Sequence, residues 1–92
     1  MSTKEKLLGR FLSMPKDFTY DELVRLFRIF GYHESTKGAT SGSRVEFVSG
    51  DGTSTFTMHK PHPSGVVKQY ALRQILTFLQ ENTDIERYRR LS

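Results

Sequence analysis

The segment 56–63, FTMHKPHP, places His59 and His62 on either side of Lys60. Its two prolines hold the backbone out of a helix. Breaking a phosphodiester bond of RNA requires a base that removes the proton of the 2′-hydroxyl, an acid that protonates the leaving oxygen, and a cation that stabilises the charge on phosphorus. Histidine, with an ordinary pKa of ~6.5, suits the proton transfer, and arginine or lysine suits the charge. The same residues also fit a strand that ends in a stiff turn, and spacing alone favours this structural interpretation.

Two further stretches could bind phosphate groups. KGATSGSR, residues 37–44, has two glycines that free the backbone and two serines that offer hydroxyl and N–H groups. The candidate ligands of this stretch are Lys37, Gly42 and Ser43. Lys68 and Arg73 come at the start of the last predicted helix, and helix N-termini attract phosphate. Each stretch is also compatible with an ordinary connection or a solvated face.

Other chemistries have weaker support. A metal site needs three or four ligands, but His33 is remote in sequence and carboxylates are scarce near the 56–63 segment. Ser43, Ser49 and Ser64 are available as nucleophiles, yet nothing in their surroundings marks any of them. The chain has no cysteine, which excludes disulfides and thiolate nucleophiles. The sequence therefore predicts neither a metal nor another cofactor.

Three helices are predicted to support these residues. Thr19 is the predicted N-cap of the clearest helix, and Glu22, three residues later, completes a capping box. Apolar residues then recur at helical spacing until Gly31, a residue typical of helix ends. Residues 3–13 and 69–82 carry similar apolar stripes and predict the other two helices.

Two segments, 43–49 and 53–59, alternate between polar and apolar residues, and the Asp-Gly pair between them is a hairpin signal. A shorter strand at 32–36 would complete a sheet. If the apolar residues pack under the helices, the side chains of Arg44 and His59 leave on the opposite face. Hairpin pairing sets Arg44 roughly opposite Met58 or His59, depending on the register, and the second register makes Arg44 and His59 neighbours on that exposed face.

The order of elements predicts an α+β fold with two layers, in which a three-stranded antiparallel sheet packs on helices. Ninety-two residues make a single domain, 1–92. The chain lacks a membrane-length apolar run and a signal peptide, so a cytoplasmic protein is expected. The net charge of +4 is concentrated between residues 37 and 73, which favours a polyanion as partner.

Parts of the chain resemble the HicA toxin family. The stretches that carry the resemblance are TYDELVRLFRIFGY (19–32), GSRVEF (42–47) and HKPHPSGVVKQYALRQIL (59–76). The family is small and basic, and its fold is like that of the double-stranded-RNA-binding domain. The resemblance covers residues 19–80. It leaves 1–18 as an extension with an extra helix and 81–92 as a charged tail.

The resemblance implies a metal-independent mRNA interferase that is silenced by a HicB-like antitoxin. His59 matches the histidine that ends the last strand in the family, and it would act as the acid/base group. Arg44 stands where the family typically has a catalytic histidine, and arginine is not a general base at neutral pH. Arg44 and Lys60 would stabilise phosphate charge. The other residues implied in RNA binding are Lys37, Gly42, Ser43, His62, Lys68 and Arg73.

The arginine at position 44 leaves the function open between different classes. Either His59 has taken over the proton transfer with the help of Arg44, or the chain does not cleave RNA. In the second case it is a non-catalytic RNA-binding module like the double-stranded-RNA-binding domain, or a domain that binds a protein partner.

Overall fold

The computed structural model describes residues 3–35, 44–61, 65–83 and 85. Its helices are α1 (Thr3–Leu12), α2 (Tyr20–Ile29) and α3 (Gln69–Asn82), and its strands are β1 (Tyr32–Ser35), β2 (Arg44–Ser49) and β3 (Thr55–His59). The strands form one antiparallel sheet in the order β1-β2-β3. This α+β arrangement confirms the predicted fold class and is consistent with a fold like the double-stranded-RNA-binding domain. None of the described helices is long and apolar enough to cross a membrane.

Helix α2 begins at the predicted capping box. The Thr19 hydroxyl accepts a hydrogen bond from the Glu22 backbone N–H at 3.2 Å, and the Glu22 carboxylate accepts one from the Thr19 N–H at 2.9 Å. The helix ends before Gly31, whose φ of +84° is costly for a residue with a side chain. N-cap residues contribute about 0.5–2 kcal/mol. Here the two ends also fix where β1 begins, one residue after Gly31.

Helices α2 and α3 cover the same face of the sheet. Phe27 of α2 stacks on Phe47 of β2 with ring centroids 4.2 Å apart. Phe78 of α3 lies 5.6 Å from the ring of Tyr32 and 5.1 Å from the ring of Phe56. The fully buried side chains are Phe11, Phe18, Leu23, Leu26, Phe27, Phe47, Val67, Leu72, Ile75, Leu79 and Ile85. Since strand side chains alternate, the other face, called the open face below, carries Arg44, Glu46, Thr55, Thr57 and His59.

The hairpin between β2 and β3 is closed by a short turn rich in hydrogen bonds. The Gly52 N–H donates to the Ser49 carbonyl at 2.9 Å. The Asp51 carboxylate accepts from the hydroxyls of Ser49 and Thr53 at 2.7 and 2.8 Å, and from the Thr53 N–H at 3.1 Å. These hydrogen bonds, above all that of Ser49, lower the pKa of Asp51 to about 2. The turn thereby fixes the register in which the two strands pair.

Helix α1 belongs to the core, although it precedes the segment that carries the family resemblance. Leu8 and Phe11 are buried, and the ring of Phe11 lies 5.8 Å from that of Phe18. Arg10 donates to both carboxylate oxygens of Glu22, at 2.6 and 3.1 Å. The extension is therefore joined to the start of α2 by apolar packing and by an ion pair.

The chain before α2 is also hydrogen-bonded to the chain before α3. The Val67 N–H donates to the Phe18 carbonyl at 2.7 Å, and the Tyr20 N–H donates to the Gly65 carbonyl at 2.8 Å. Together these bonds form an isolated antiparallel bridge, called the linker bridge below. Gly65 has a φ of +74°, a backbone conformation that glycine adopts readily and that residues with a side chain rarely adopt. The bridge anchors the backbone just after the predicted RNA-binding segment.

Candidate functional site

Arg44 and His59 lie directly opposite each other in the ladder of β2 and β3. Val45 and Phe47 are buried under the helices, so alternation turns Arg44 to the open face together with His59. Both residues are exposed. Residues directly opposite in an antiparallel pair have Cβ atoms about 4.5–5.5 Å apart, so one phosphate group can contact both side chains. The predicted pairing is confirmed, and the catalytic roles of the two residues stay predictions.

One carboxylate lies beside this pair. Glu46 is two residues after Arg44 on the open face, half-buried and opposite Thr57. No ion pair joins it to Arg44 in the described part of the chain. Because a carboxylate repels phosphate, Glu46 makes the centre of the open face less favourable for an anion than the edge where Arg44 and His59 lie.

His33 occupies the far end of the open face. It pairs with Val48, four residues along β2 from Arg44. At about 3.3 Å per residue, this separates it from the Arg44 end by about 13 Å. His33 and His59 therefore cannot share one metal ion. Among the described residues, no group of three or more histidine, aspartate or glutamate side chains is placed to hold a metal.

Lys60 is held at the site by an aromatic ring that sequence reasoning missed. Its ammonium group lies 5.1 Å from the ring centroid of Tyr20, the first residue of α2. The Tyr20 hydroxyl donates a hydrogen bond to the carboxylate of Glu34 on β1. Burial raises the pKa of Tyr20, and the hydrogen bond to Glu34 raises it further. Tyr20 therefore stays neutral and gives Lys60 a fixed neighbour without neutralising its charge.

His59 and Lys60 also line a groove between the end of β3 and the start of α3, called the His59–Tyr70 groove below. It has a volume of about 230 Å³. Its lining residues are Met58, His59, Lys60, Pro61, Val66, Val67, Lys68, Tyr70 and Ala71. Lys68 thus lines the same groove as His59 and Lys60, and its contact with phosphate stays a prediction. Arg73, one turn further along α3, is exposed but does not line the groove.

Four predicted residues lie outside the described part of the chain: Lys37, Gly42, Ser43 and His62. Their proposed contacts with RNA stay predictions. What the structure brings together is a smaller set. Arg44 and His59 form one cross-strand pair on the open face, and His59 links that pair to the groove that carries Lys60 and Lys68.

Comparison with known proteins gives one finding. A family model described as HicA toxin of bacterial toxin-antitoxin matches residues 20–80, about two thirds of the chain. The matched part contains α2, the three strands and most of α3, and it leaves α1 outside. No curated protein and no solved structure gives a significant match.

Proposed function

The chain belongs to the HicA toxin family, and from this premise we propose that it is the toxin of a toxin–antitoxin pair that cleaves RNA without a metal ion. The observation that carries the proposal is the cross-strand pairing of Arg44 and His59 on the open face. A general base and a permanent cation within reach of one phosphate supply the groups that a metal-free cleavage needs.

In the proposed reaction RNA supplies its own nucleophile. His59 takes the proton of the 2′-hydroxyl, the 2′ oxygen bonds to phosphorus, and the bond between phosphorus and the 5′ oxygen breaks. Water protonates the leaving oxygen, because the site is exposed. Arg44 stabilises the negative charge that develops on the phosphorus oxygens. The products are a 2′,3′-cyclic phosphate and a 5′-hydroxyl.

The remaining cations position the RNA backbone in this proposal. Lys60 and Lys68 line the groove beside His59, and Arg73 lies one turn further along α3. We propose mRNA in the cytoplasm as the target and a HicB-like antitoxin as the protein that silences the toxin. Co-expression of an antitoxin encoded next to this chain should then restore the growth of cells that produce it.

A second candidate function rests on one specific residue. Arg44 stands where the family typically has a histidine, so the site lacks one group that can accept a proton. The alternative is therefore an RNA-binding module, like the double-stranded-RNA-binding domain, or a protein-interaction domain, neither of which cleaves RNA. Under this alternative the same exposed cations would bind the ligand, but no bond would be cleaved.

The His59→Ala variant tests the proposal. General acid–base catalysis contributes about 10²–10⁴-fold, so RNA cleavage should fall by that factor and growth inhibition should disappear. Binding of uncleavable RNA should change by less than about threefold, because charged contacts to phosphate dominate affinity. The matched control is His33→Ala, which removes an exposed histidine from the far end of the same face. Cleavage by the wild-type protein should persist in a metal chelator.

Two results would decide against RNA cleavage. If the wild-type protein binds RNA in a salt-dependent way but never cleaves it, with or without chelator, the non-catalytic RNA-binding module is correct. If it neither binds nor cleaves RNA at low salt, the protein-interaction domain is correct. If His33→Ala and His59→Ala lose cleavage equally, the proposed role of His59 as the proton-transfer group is wrong.

A further inference from the structure

Tyr70 is an aromatic residue that lies on the surface, outside the buried core. Among the described residues it is the only large hydrophobic side chain that is mostly exposed, at 62% of its surface. It is the second residue of α3, whose core-facing stripe is formed by Leu72, Ile75 and Leu79. An exposed aromatic side chain that contributes little to folding is often part of a binding surface.

The surroundings of Tyr70 indicate the chemistry of what it binds. It lines one side of the His59–Tyr70 groove, and His59 lines the same groove. Lys60 and Lys68, both exposed, also belong to the lining. The apolar lining residues are Met58, Pro61, Val66, Val67 and Ala71. The groove therefore combines an apolar lining, an aromatic side chain and two cations, which suits a flat aromatic group attached to a phosphate.

The size of the groove limits the kind of ligand that it can bind. Pockets that enclose a whole small-molecule ligand are usually about 300–1,000 Å³. A groove of about 230 Å³ is smaller and open, so it suits one part of a longer molecule. In a nucleic acid that part is a single base, whose phosphates can contact the lysines at the groove. A base inside a duplex is stacked and paired, and it cannot enter a groove of this kind without leaving the helix.

We propose that the His59–Tyr70 groove binds one unpaired RNA base, which stacks on the ring of Tyr70. The inference rests on the proposed function and makes it more specific, because it selects single-stranded RNA over duplex RNA. Since His59 is shared between the groove and the Arg44 pair, a base held in the groove places a neighbouring ribose and phosphate beside the proton-transfer group. Tyr70 is in this view a binding residue that positions the reacting phosphate.

Binding to three probes tests the inference. The probes are a single-stranded RNA oligonucleotide, its duplex with the complementary strand, and an oligonucleotide of the same length with abasic residues. All three probes carry 2′-O-methyl groups on every residue, abasic residues included, so they lack the attacking 2′-hydroxyl and are not cleaved during the measurement. Replacing an aromatic side chain under a stacked base costs about 1–3 kcal/mol, so Tyr70→Ala should weaken single-stranded binding about 5- to 150-fold.

Two control variants separate the contribution of the Tyr70 ring from that of its hydroxyl group and from the general effect of a substitution on α3. Tyr70→Phe keeps the ring and should bind within about twofold of the wild type, because stacking needs the π-face and not the hydroxyl. Gln74→Ala removes another exposed side chain of α3 that does not line the groove, and it should also bind like the wild type. Tyr70→Ala should leave duplex and abasic binding unchanged. Thermal unfolding of each variant checks that the fold is intact.

A fluorescent variant reports on stacking directly. The chain has no tryptophan, so Tyr70→Trp introduces a single indole. Single-stranded RNA should quench its fluorescence, whereas the abasic oligonucleotide should bind without quenching it. Gln74→Trp provides the matched control, whose fluorescence should not respond to either probe.

The outcomes separate this inference from the proposed function. If the wild type binds none of the three probes at low salt, RNA binding itself is wrong. If the wild type binds single-stranded RNA but Tyr70→Ala and Gln74→Ala bind equally well, RNA binding stands and the base-stacking groove is wrong. Quenching by an acidic peptide but not by RNA would identify the groove as a protein-binding site and would overturn the inference.

Discussion

Arginine is used in opposite ways at two corners of this molecule. At the N-terminal corner, Arg10 donates to both oxygens of the Glu22 carboxylate and to the side chain and carbonyl of Asp17. At the edge of the sheet, Arg44 lies beside His59, and no ion pair holds its guanidinium in the described part of the chain. Arg10 donates through Nε and one terminal nitrogen to groups of the protein, whereas Arg44 forms no ion pair with the described residues and can donate to a ligand.

The comparison shows how charge divides between folding and binding. Arg10 also lies over the ring of Phe18, with its guanidinium carbon 5.7 Å from the ring centroid, so it connects α1 to the capping box and the core. Lys60 likewise lies over a ring, that of Tyr20, but no carboxylate in the described part of the chain forms an ion pair with it. A cation whose charge is balanced by carboxylates stabilises the fold, and a cation balanced only by an aromatic ring remains attractive to phosphate.

The largest expected effect is a loss of RNA cleavage when Arg44, at the edge of the sheet, is replaced. Arg44→Gln removes the charge, and loss of one group that stabilises a developing oxyanion costs about 10²–10³-fold in rate, so cleavage should fall by about that factor. The free energy of unfolding should change by less than about 0.5 kcal/mol, because the residue is exposed. Single-turnover cleavage and urea unfolding measure the two quantities.

Arg44→Lys sharpens the same test. Lysine keeps the charge but loses the planar fork that contacts two phosphate oxygens, so it should recover part of the rate and not all of it. The control is Arg25→Gln, an exposed arginine on α2. A loss of cleavage in Arg25→Gln equal to that in Arg44→Gln would mean that general charge, and not the position opposite His59, accounts for the effect.

The next largest effect is on stability at the N-terminal corner. Arg10→Ala removes hydrogen bonds to two carboxylates, so it should lower both the free energy of unfolding and the melting temperature. Cleavage per folded molecule should be unchanged. The comparison fails if Arg10→Ala lowers cleavage at a temperature where calorimetry shows the variant to be fully folded.

The smallest effect is the pH dependence of the same ion pair. The hydrogen bond from Arg10 lowers the pKa of Glu22 to about 2, with help from the capping hydrogen bonds of Thr19. Because the pKa is depressed on folding, the carboxylate stabilises the protein fully above its unfolded pKa, ordinarily near 4.5. That stability is lost as the pH falls from about 4.5 towards about 2.

Partial exposure of the pair limits this contribution to about 1 kcal/mol. Urea unfolding of the wild type and of Glu22→Gln at pH 6 and pH 3 measures it. The difference in stability between the two proteins should shrink at the lower pH. An undiminished difference at pH 3 would show that the charge of Glu22 does not contribute, and that its loss acts only through hydrogen bonding or packing.

Local sequence patterns predicted the elements and the faces of this fold well. The capping box at Thr19 and the bounds of α3 are as expected, because both depend on residues within one or two helical turns. Strand alternation predicted that Arg44 and His59 share the exposed face, whereas the choice of His59 over Met58 as the partner of Arg44 comes from the structure. The hairpin signal at Asp51 is confirmed, although the turn spans Ser49–Gly52.

Contacts between distant segments were not predicted. Tyr20 meets Lys60 because the fold brings the first residue of α2 to the end of β3, and no spacing rule links positions 40 residues apart. The groove is missing from the sequence analysis for the same reason, since it forms between two elements. Ile85 is fully buried, although it lies in the segment that was predicted to be a charged tail. Its burial was not predicted because a single apolar residue gives no periodic signal.

The linker bridge has a consequence for the energetics of ligand capture. It fixes the backbone at Val67 on one side of the His59–Tyr70 groove, while the hairpin fixes it at His59 on the other side, so these two lining residues are positioned before any ligand arrives. A preorganised site loses less conformational entropy when it closes on its target. Helix α1, which packs on Phe18, would then contribute to affinity from a distance, although none of its residues lines the groove.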